Sequence, residues 1–142
     1  MSRPVVVVDT NVVVSGLLSA EVTAAPHRIL DGMLAGRFTF LLSIELLGQY
    51  REVLLRPRIQ KRHGLSDRDV DVILEAIVAN AMIRDPEAPD RQSPDPADAH
   101  LWALVATFPG AVLVTGDQAL LDRPAPGVIV ITPSVFVGQL AL

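Results

Sequence analysis

The most constraining feature of this chain is a run of four valines that ends abruptly in an acid: Val5 to Val8, then Asp9. β-branched side chains on both faces read as a central strand buried on both sides, and such strands belong to parallel sheets covered by helices. Asp9-Thr10-Asn11 then supplies the side chains that cap helix N-termini, so a helix should open at Val12 and run to Ser19. The same order of elements recurs along the chain. A helix is expected over Ala24–Ala35, closed by Gly36, and a short strand over Phe38–Leu42. Ser43 should cap a helix that runs to about Leu55 and stops before Pro57. Another helix is expected from Ser66 to Met82, with Asp67 and Asp69 in its first turn and Val70, Ile73, Leu74, Ile77 and Val78 on one face. Pro86, Pro89, Pro94 and Pro96 mark residues 84–97 as a loop. A helix over Asp98–Thr107, a strand over Ala111–Val114, a short helix through Leu121, a strand over Val128–Ile131 and a helix opened by Pro133 complete the chain. Alternating strands and helices predict an α/β domain of three layers, a mainly parallel sheet flanked by helices.

The 142 residues fit one domain spanning 1–142, and half of them are apolar, which excludes disorder. Mean hydropathy is +0.40, yet no run of about 18 apolar residues exists, so no membrane span is expected. The N-terminus does not read as a signal peptide. Cysteine is absent, which removes thiolate metal sites, cysteine nucleophiles and disulfides and agrees with a cytoplasmic setting. The net charge of −4 does not advertise a polyanion partner, but the charges are segregated. Residues 51–62 hold Arg51, Arg56, Arg58, Lys61 and Arg62 against Glu52 alone. Such a stripe can hold a phosphate backbone or simply be a solvated helix end and loop. Tyr50, Trp102 and the four phenylalanines lie mostly in apolar runs and read as core. His27, His63 and His100 are scattered and receive no catalytic role.

Ligands of open parallel sheets sit at the carboxyl ends of the strands. Two strands here end in acids: Val5–Val8 in Asp9, and Val112–Val114 in Thr115-Gly116-Asp117. Each acid could be no more than a helix cap, but two in one sheet are better explained by a shared site. Neighbouring carboxylates repel unless a proton or cation neutralises them. Oxygen donors without histidine or cysteine favour Mg²⁺ or Mn²⁺ over zinc. Asp98, at the start of a helix, is a third candidate, whereas Asp95 reads as a cap or loop residue.

These segments together resemble the PIN-domain family, in particular the VapC-like toxin component of bacterial toxin–antitoxin systems. The resemblance rests on Asp9-Thr10-Asn11 with the valines around it, Ser43 to Pro57, Asp95-Pro96-Ala97-Asp98, Thr115-Gly116-Asp117-Gln118-Ala119-Leu120-Leu121, and Ile131-Thr132-Pro133-Ser134-Val135-Phe136. It implies a PIN-like fold and a pocket of Asp9, Asp98 and Asp117 that binds Mg²⁺ or Mn²⁺ and cleaves single-stranded RNA, leaving a 5′-phosphate and a 3′-hydroxyl. Asn11 and Thr115 would orient ligands around those acids. Arg51, Arg56, Arg58 and Arg62 would hold the RNA. By analogy, a small cognate antitoxin would occupy the groove, and a homodimer is a further expectation.

One position departs from the family. Where it usually carries a glutamate, six residues after the serine that opens the middle helix, this chain has Gln49. Glutamine keeps hydrogen bonding but loses the charge. Glu45 and Glu52 share a helix face with Gln49 and are the candidates to replace it, Glu45 being nearer the strand end. Their ordinary readings are a first-turn acid for Glu45 and an i+4 partner of Arg56 for Glu52. The alternative to an enzyme is therefore a catalytically degenerate PIN-like module that binds RNA or protein. A phosphatase of the haloacid-dehalogenase type fits poorly, because Asn11 stands where that class needs a second aspartate. A nucleotide-binding fold lacks its glycine-rich loop.

Overall fold

The computed structural model describes residues 4–86 and 96–140. Strand β1 (Val6–Val8) pairs in parallel with β4 (Val112–Val114), and β4 pairs in parallel with β5 (Ile129–Ile131). On the other side, β2 (Leu41–Leu42) pairs in parallel with β3 (Met82–Ile83), and a parallel bridge from Val6 to Phe40 joins this pair to β1. The spatial order is therefore β3-β2-β1-β4-β5, every neighbour parallel. The chain builds outward from β1 in one direction and then in the other. The switch point lies between β1 and β4, and open parallel sheets bind their ligands at the strands' carboxyl ends at such a point. This confirms the expected parallel α/β architecture.

The helices are α1 (Thr10–Leu18), α2 (Ala25–Ala35), α3 (Ile44–Leu54), α4 (Pro57–His63), α5 (Asp67–Asn80), α6 (Ala99–Ala106), α7 (Gln118–Asp122) and α8 (Pro133–Leu140), with a 3₁₀ turn over Pro96–Asp98. All three residues of β1 and all three of β4 are buried, as are Leu41 and Leu42, so the sheet centre is the core. Several ends follow from local chemistry. Ser43 accepts from the Leu46 amide at the start of α3, and Ser66 and Asp69 form a reciprocal capping box at the start of α5. Gly36 closes α2 in the left-handed region (φ 66°), where the Asn80 side chain donates to the carbonyls of Met33 and Leu34. Gly16 lets α1 lie against α2: a Cβ there would come within 2.6 Å of the Pro26 carbonyl oxygen.

The structure corrects several expectations. α1 begins at Thr10, not Val12, because Asp9 itself is the cap. Pro57 does not only stop α3. It is the first residue of α4, a helix not expected from the sequence. Met82, expected as the last residue of a helix, lies beyond α5 and with Ile83 forms β3, which pairs with β2. The helix opened by Pro133 is held by Phe136 and Leu140, which are buried within this chain, and Phe136 meets Phe38 edge-on at 5.0 Å. Pro89, Pro94 and Asp95 lie outside the described residues.

Candidate functional site

Parallel register sets Val8 opposite Val114, so the residues that follow, Asp9 and Thr115, leave the sheet side by side. Asp9 is 7% exposed and Thr115 is fully buried. The Asp9 carboxylate accepts three bonds: from the Thr10 amide (2.8 Å) to Oδ1, and from Thr115 Oγ1 (2.7 Å) and Asn11 Nδ2 (3.1 Å) to Oδ2. An ionised carboxylate offers about four lone-pair sites, so one is left for another ligand.

The two strand ends are stitched further. Asn11 Nδ2 also donates to Thr115 Oγ1 (3.2 Å), and Asn11 Oδ1 accepts from the Gly116 amide (3.0 Å). Thr115 Oγ1 accepts from the Asp117 amide (3.0 Å), and Asp117 Oδ1 caps α7 through the Ala119 amide (3.0 Å). Both strand-end acids are thus caps, as their ordinary reading held, and Thr115 ties the two junctions together.

Electrostatics separates them. The Asp9 pKa is raised, first by burial and also by the negative charge of Asp117; the bonds from Thr115 and Thr10 and the field of His100 pull it down. A desolvated carboxylate facing a second carboxylate is relieved by a proton or a cation. The donor set is oxygen only, and Mg²⁺ is commonly held by one or two carboxylates with water completing its shell. Asp9 and Asp117 fit that ion. Among the described residues, no three carboxylate or imidazole side chains lie close enough together to form a metal-binding cluster.

Asp98 ends the 3₁₀ turn at the start of α6, and its side chain does not cap that helix. α6 packs against β1, β4 and α3, so its first turn belongs to this end of the sheet. Gln49 reaches the site through Thr10, whose hydroxyl donates to Gln49 Oε1 at 2.6 Å. Glu45 is exposed in the first turn of α3. Glu52 pairs with Arg56 at 3.1 Å, as its ordinary reading expects. Arg51 pairs with Asp71 at 2.8 Å. Two of the four candidate RNA-binding arginines are therefore engaged with carboxylates, whereas Arg58 and Arg62 lie exposed on α4.

Three neighbours of the site carried no functional signal in the sequence. Thr10 bridges to Gln49. Tyr50, fully buried, donates its hydroxyl to the Val8 carbonyl, directly behind Asp9; burial first and the Asp9 charge second raise its pKa. His100 is buried in the first turn of α6, and its Nδ1 has no hydrogen-bond partner among the described residues. Its two-residue spacing from Asp98 was the only available clue. His63 is structural: its ring nitrogens meet the Leu54 carbonyl (2.9 Å) and the Leu65 amide (3.0 Å).

No curated protein matches the chain. A family model described as the PIN domain matches residues 5–119, a span that begins at β1 and includes Asp9, Gln49, Asp98, Thr115 and Asp117. The parallel sheet, the switch point and that match over most of the sequence agree, and the chain belongs to the PIN-domain family.

Proposed function

We propose that this chain, as a single PIN-like domain over residues 1–142, is a divalent-metal-dependent endoribonuclease that cuts single-stranded RNA. PIN domains are generally nucleases that use divalent metals, which sets the reaction class. The observation that carries the reading is the Asp9–Asp117 pair at the switch point, one acid desolvated and destabilised by the charge of the other. Asp9, Asp98 and Asp117 would hold Mg²⁺ or Mn²⁺, with bound water spanning the gaps that keep the three acids from forming a tight cluster. Bound there, the ion supplies an activated water and polarises the scissile phosphate.

The residues around the acids have separate tasks. Thr115 and Asn11 hold Asp9 Oδ2 in one orientation, and Thr10 ties Asp9 to α1 through its amide and to α3 through Gln49. Glu45 supplies an additional acid at the rim, in the first turn of the same helix as Gln49. A basic surface beyond it holds the strand. The biological setting we infer is cytoplasmic: a toxin restrained by a small cognate antitoxin in the groove, with a homodimer as its assembly. No helix among the described residues is long and apolar enough to cross a membrane.

Gln49 favours a second reading, a PIN-like module without catalysis that binds RNA or protein. Its amide occupies the bonding position beside Thr10 without bringing a charge. Cleavage of single-stranded RNA in Mn²⁺, Mg²⁺ and EDTA separates the two, with the parent, Asp9→Asn and Gln49→Glu chains compared. Metal-dependent cutting by the parent, lost in Asp9→Asn and raised in Gln49→Glu, is the expected result. Cutting by Gln49→Glu alone would establish the second reading.

A further inference from the structure

The basic stripe over residues 51–62 divides into two chemically different halves. On α3, Arg51 is held by Asp71 through Nε at 2.8 Å, and Arg56, just past its end, is held by Glu52 at 3.1 Å. Their charges are already compensated. On α4, Ile59 and His63 turn inward: Ile59 packs against the core, and His63 bonds to the Leu54 carbonyl and the Leu65 amide. The 3.6-residue period then forces Arg58, Lys61 and Arg62 outward on one face, with about 5–6 Å between Cβ atoms three or four positions apart. All three are exposed, and none has an ion-pair partner among the described residues.

The acids that follow α4 do not compensate them. Asp67 accepts from Gln60 Nε2 at 2.7 Å, Asp69 completes the capping box with Ser66, and Asp71 is taken by Arg51. In a chain of net charge −4, this leaves one concentrated positive face. α4 also packs against α1 and α3, the two helices that carry Asn11 and Gln49. A positive face on a helix packed against both of those elements suits a strand that runs toward Asp9.

We infer that Arg58, Lys61 and Arg62 on α4 form the contact for the phosphate backbone of a nucleic-acid strand, and that Arg51 and Arg56 do not. The inference rests on the nuclease reading and adds which surface holds the substrate. Arginine suits bidentate phosphate contact and lysine adds a point charge. Contact of this kind shows as counterion release, with a salt slope set by the number of phosphates neutralised.

The test is binding of a fluorescent single-stranded oligoribonucleotide in EDTA, where no cutting occurs, over a range of salt. The chains are the parent, the triple variant Arg58→Gln, Lys61→Gln, Arg62→Gln, and two charge-neutral doubles, Arg51→Gln with Asp71→Asn and Arg56→Gln with Glu52→Gln. Glutamine keeps helix propensity, and circular dichroism checks the fold. The triple variant should reduce the slope of log K against log salt by about 2, at about 0.7 per contact, while both doubles keep the parent slope. If a properly folded triple variant keeps the parent slope while the parent binds and, with metal, cuts RNA, the α4 assignment fails and the nuclease reading stands. If either double loses as much slope as the triple, the assignment also fails. A parent that neither binds nor cuts RNA overturns the nuclease reading and this inference with it. Equal binding of polyglutamate would reassign the face to an acidic protein partner.

Discussion

At the β1–α1 junction the strand runs directly into Asp9, which is 7% exposed; at the β4–α7 junction the level position is Thr115, and Asp117 follows two residues later in solvent. Both aspartates cap the helix that follows them. Asp9 is pushed toward its protonated form, first because burial has stripped its water and then by the charge on Asp117. The lesson concerns position more than residue type. A cap one residue past a central strand is inside the protein, and a cap three residues past it is outside. The pair combines one poised, oriented carboxylate with one open to solvent. Pairing of this kind suits a site that must hold a cation firmly and still admit a large substrate.

The strongest way to break the comparison is to neutralise each acid in turn. Asp9→Asn and Asp117→Asn should each lower Mn²⁺ affinity by more than the roughly 10–100-fold that loss of an orienting partner costs, read by calorimetric titration. Parent-like binding by Asp117→Asn would show that the two junctions do not share an ion.

Thr115→Val probes the stitch between the junctions. It removes the donor to Asp9 Oδ2 and the acceptor for the Asp117 amide while keeping the side-chain shape. Mn²⁺ affinity should fall about 10–100-fold. Because the Thr115 bond lowers the Asp9 pKa, the pH needed for half-maximal Mn²⁺ binding should also rise. An unchanged pH profile would remove Thr115 from the site.

Tyr50→Phe asks what supports β1 from behind. Losing the bond to the Val8 carbonyl should cost about 1–2 kcal/mol in a urea unfolding series. A loss near zero would mean that the Val8 carbonyl is fully satisfied by the strand ladder.

The smallest expected effect is on stability against pH in EDTA. A raised carboxyl pKa means that the folded chain binds the Asp9 proton more tightly than the unfolded chain does. Between the two pKa values, the Asp9 contribution therefore destabilises as pH rises and is recovered as pH falls through the folded value toward the unfolded one. Asp9→Asn should remove that dependence, and Asp117→Asn should weaken it, since the Asp117 charge is one of its causes. Equal pH dependence in Asp9→Asn and the parent would mean that another group sets it.

Much of this arrangement was legible from the residues. The valine run, Gly36, Ser43 and the acids after Ser66 mark strands and helix ends through local chemistry, and the structure keeps all of them. Glu52 and Arg56 were legible because i and i+4 are neighbours on any helix. β3 was not, because two residues carry too little pattern and Met82–Ile83 becomes a strand only by pairing with β2. Pro57 is ambiguous by nature: a proline that ends one helix is equally suited to be the first residue of the next.

The sequence by itself determined the alternation of strand and helix, the acids at the strand ends and the absence of thiol chemistry. Each depends on residue type and near neighbours. The tertiary structure decided which acid is buried, which arginines are already paired and which side chains stand behind the site. Asp9 meets Thr115 across 106 positions and Arg51 meets Asp71 across 20. Parallel strands must be joined by long crossovers, so the contacts that tune charge at their carboxyl ends come from residues remote in the chain, and only the folded register brings them together.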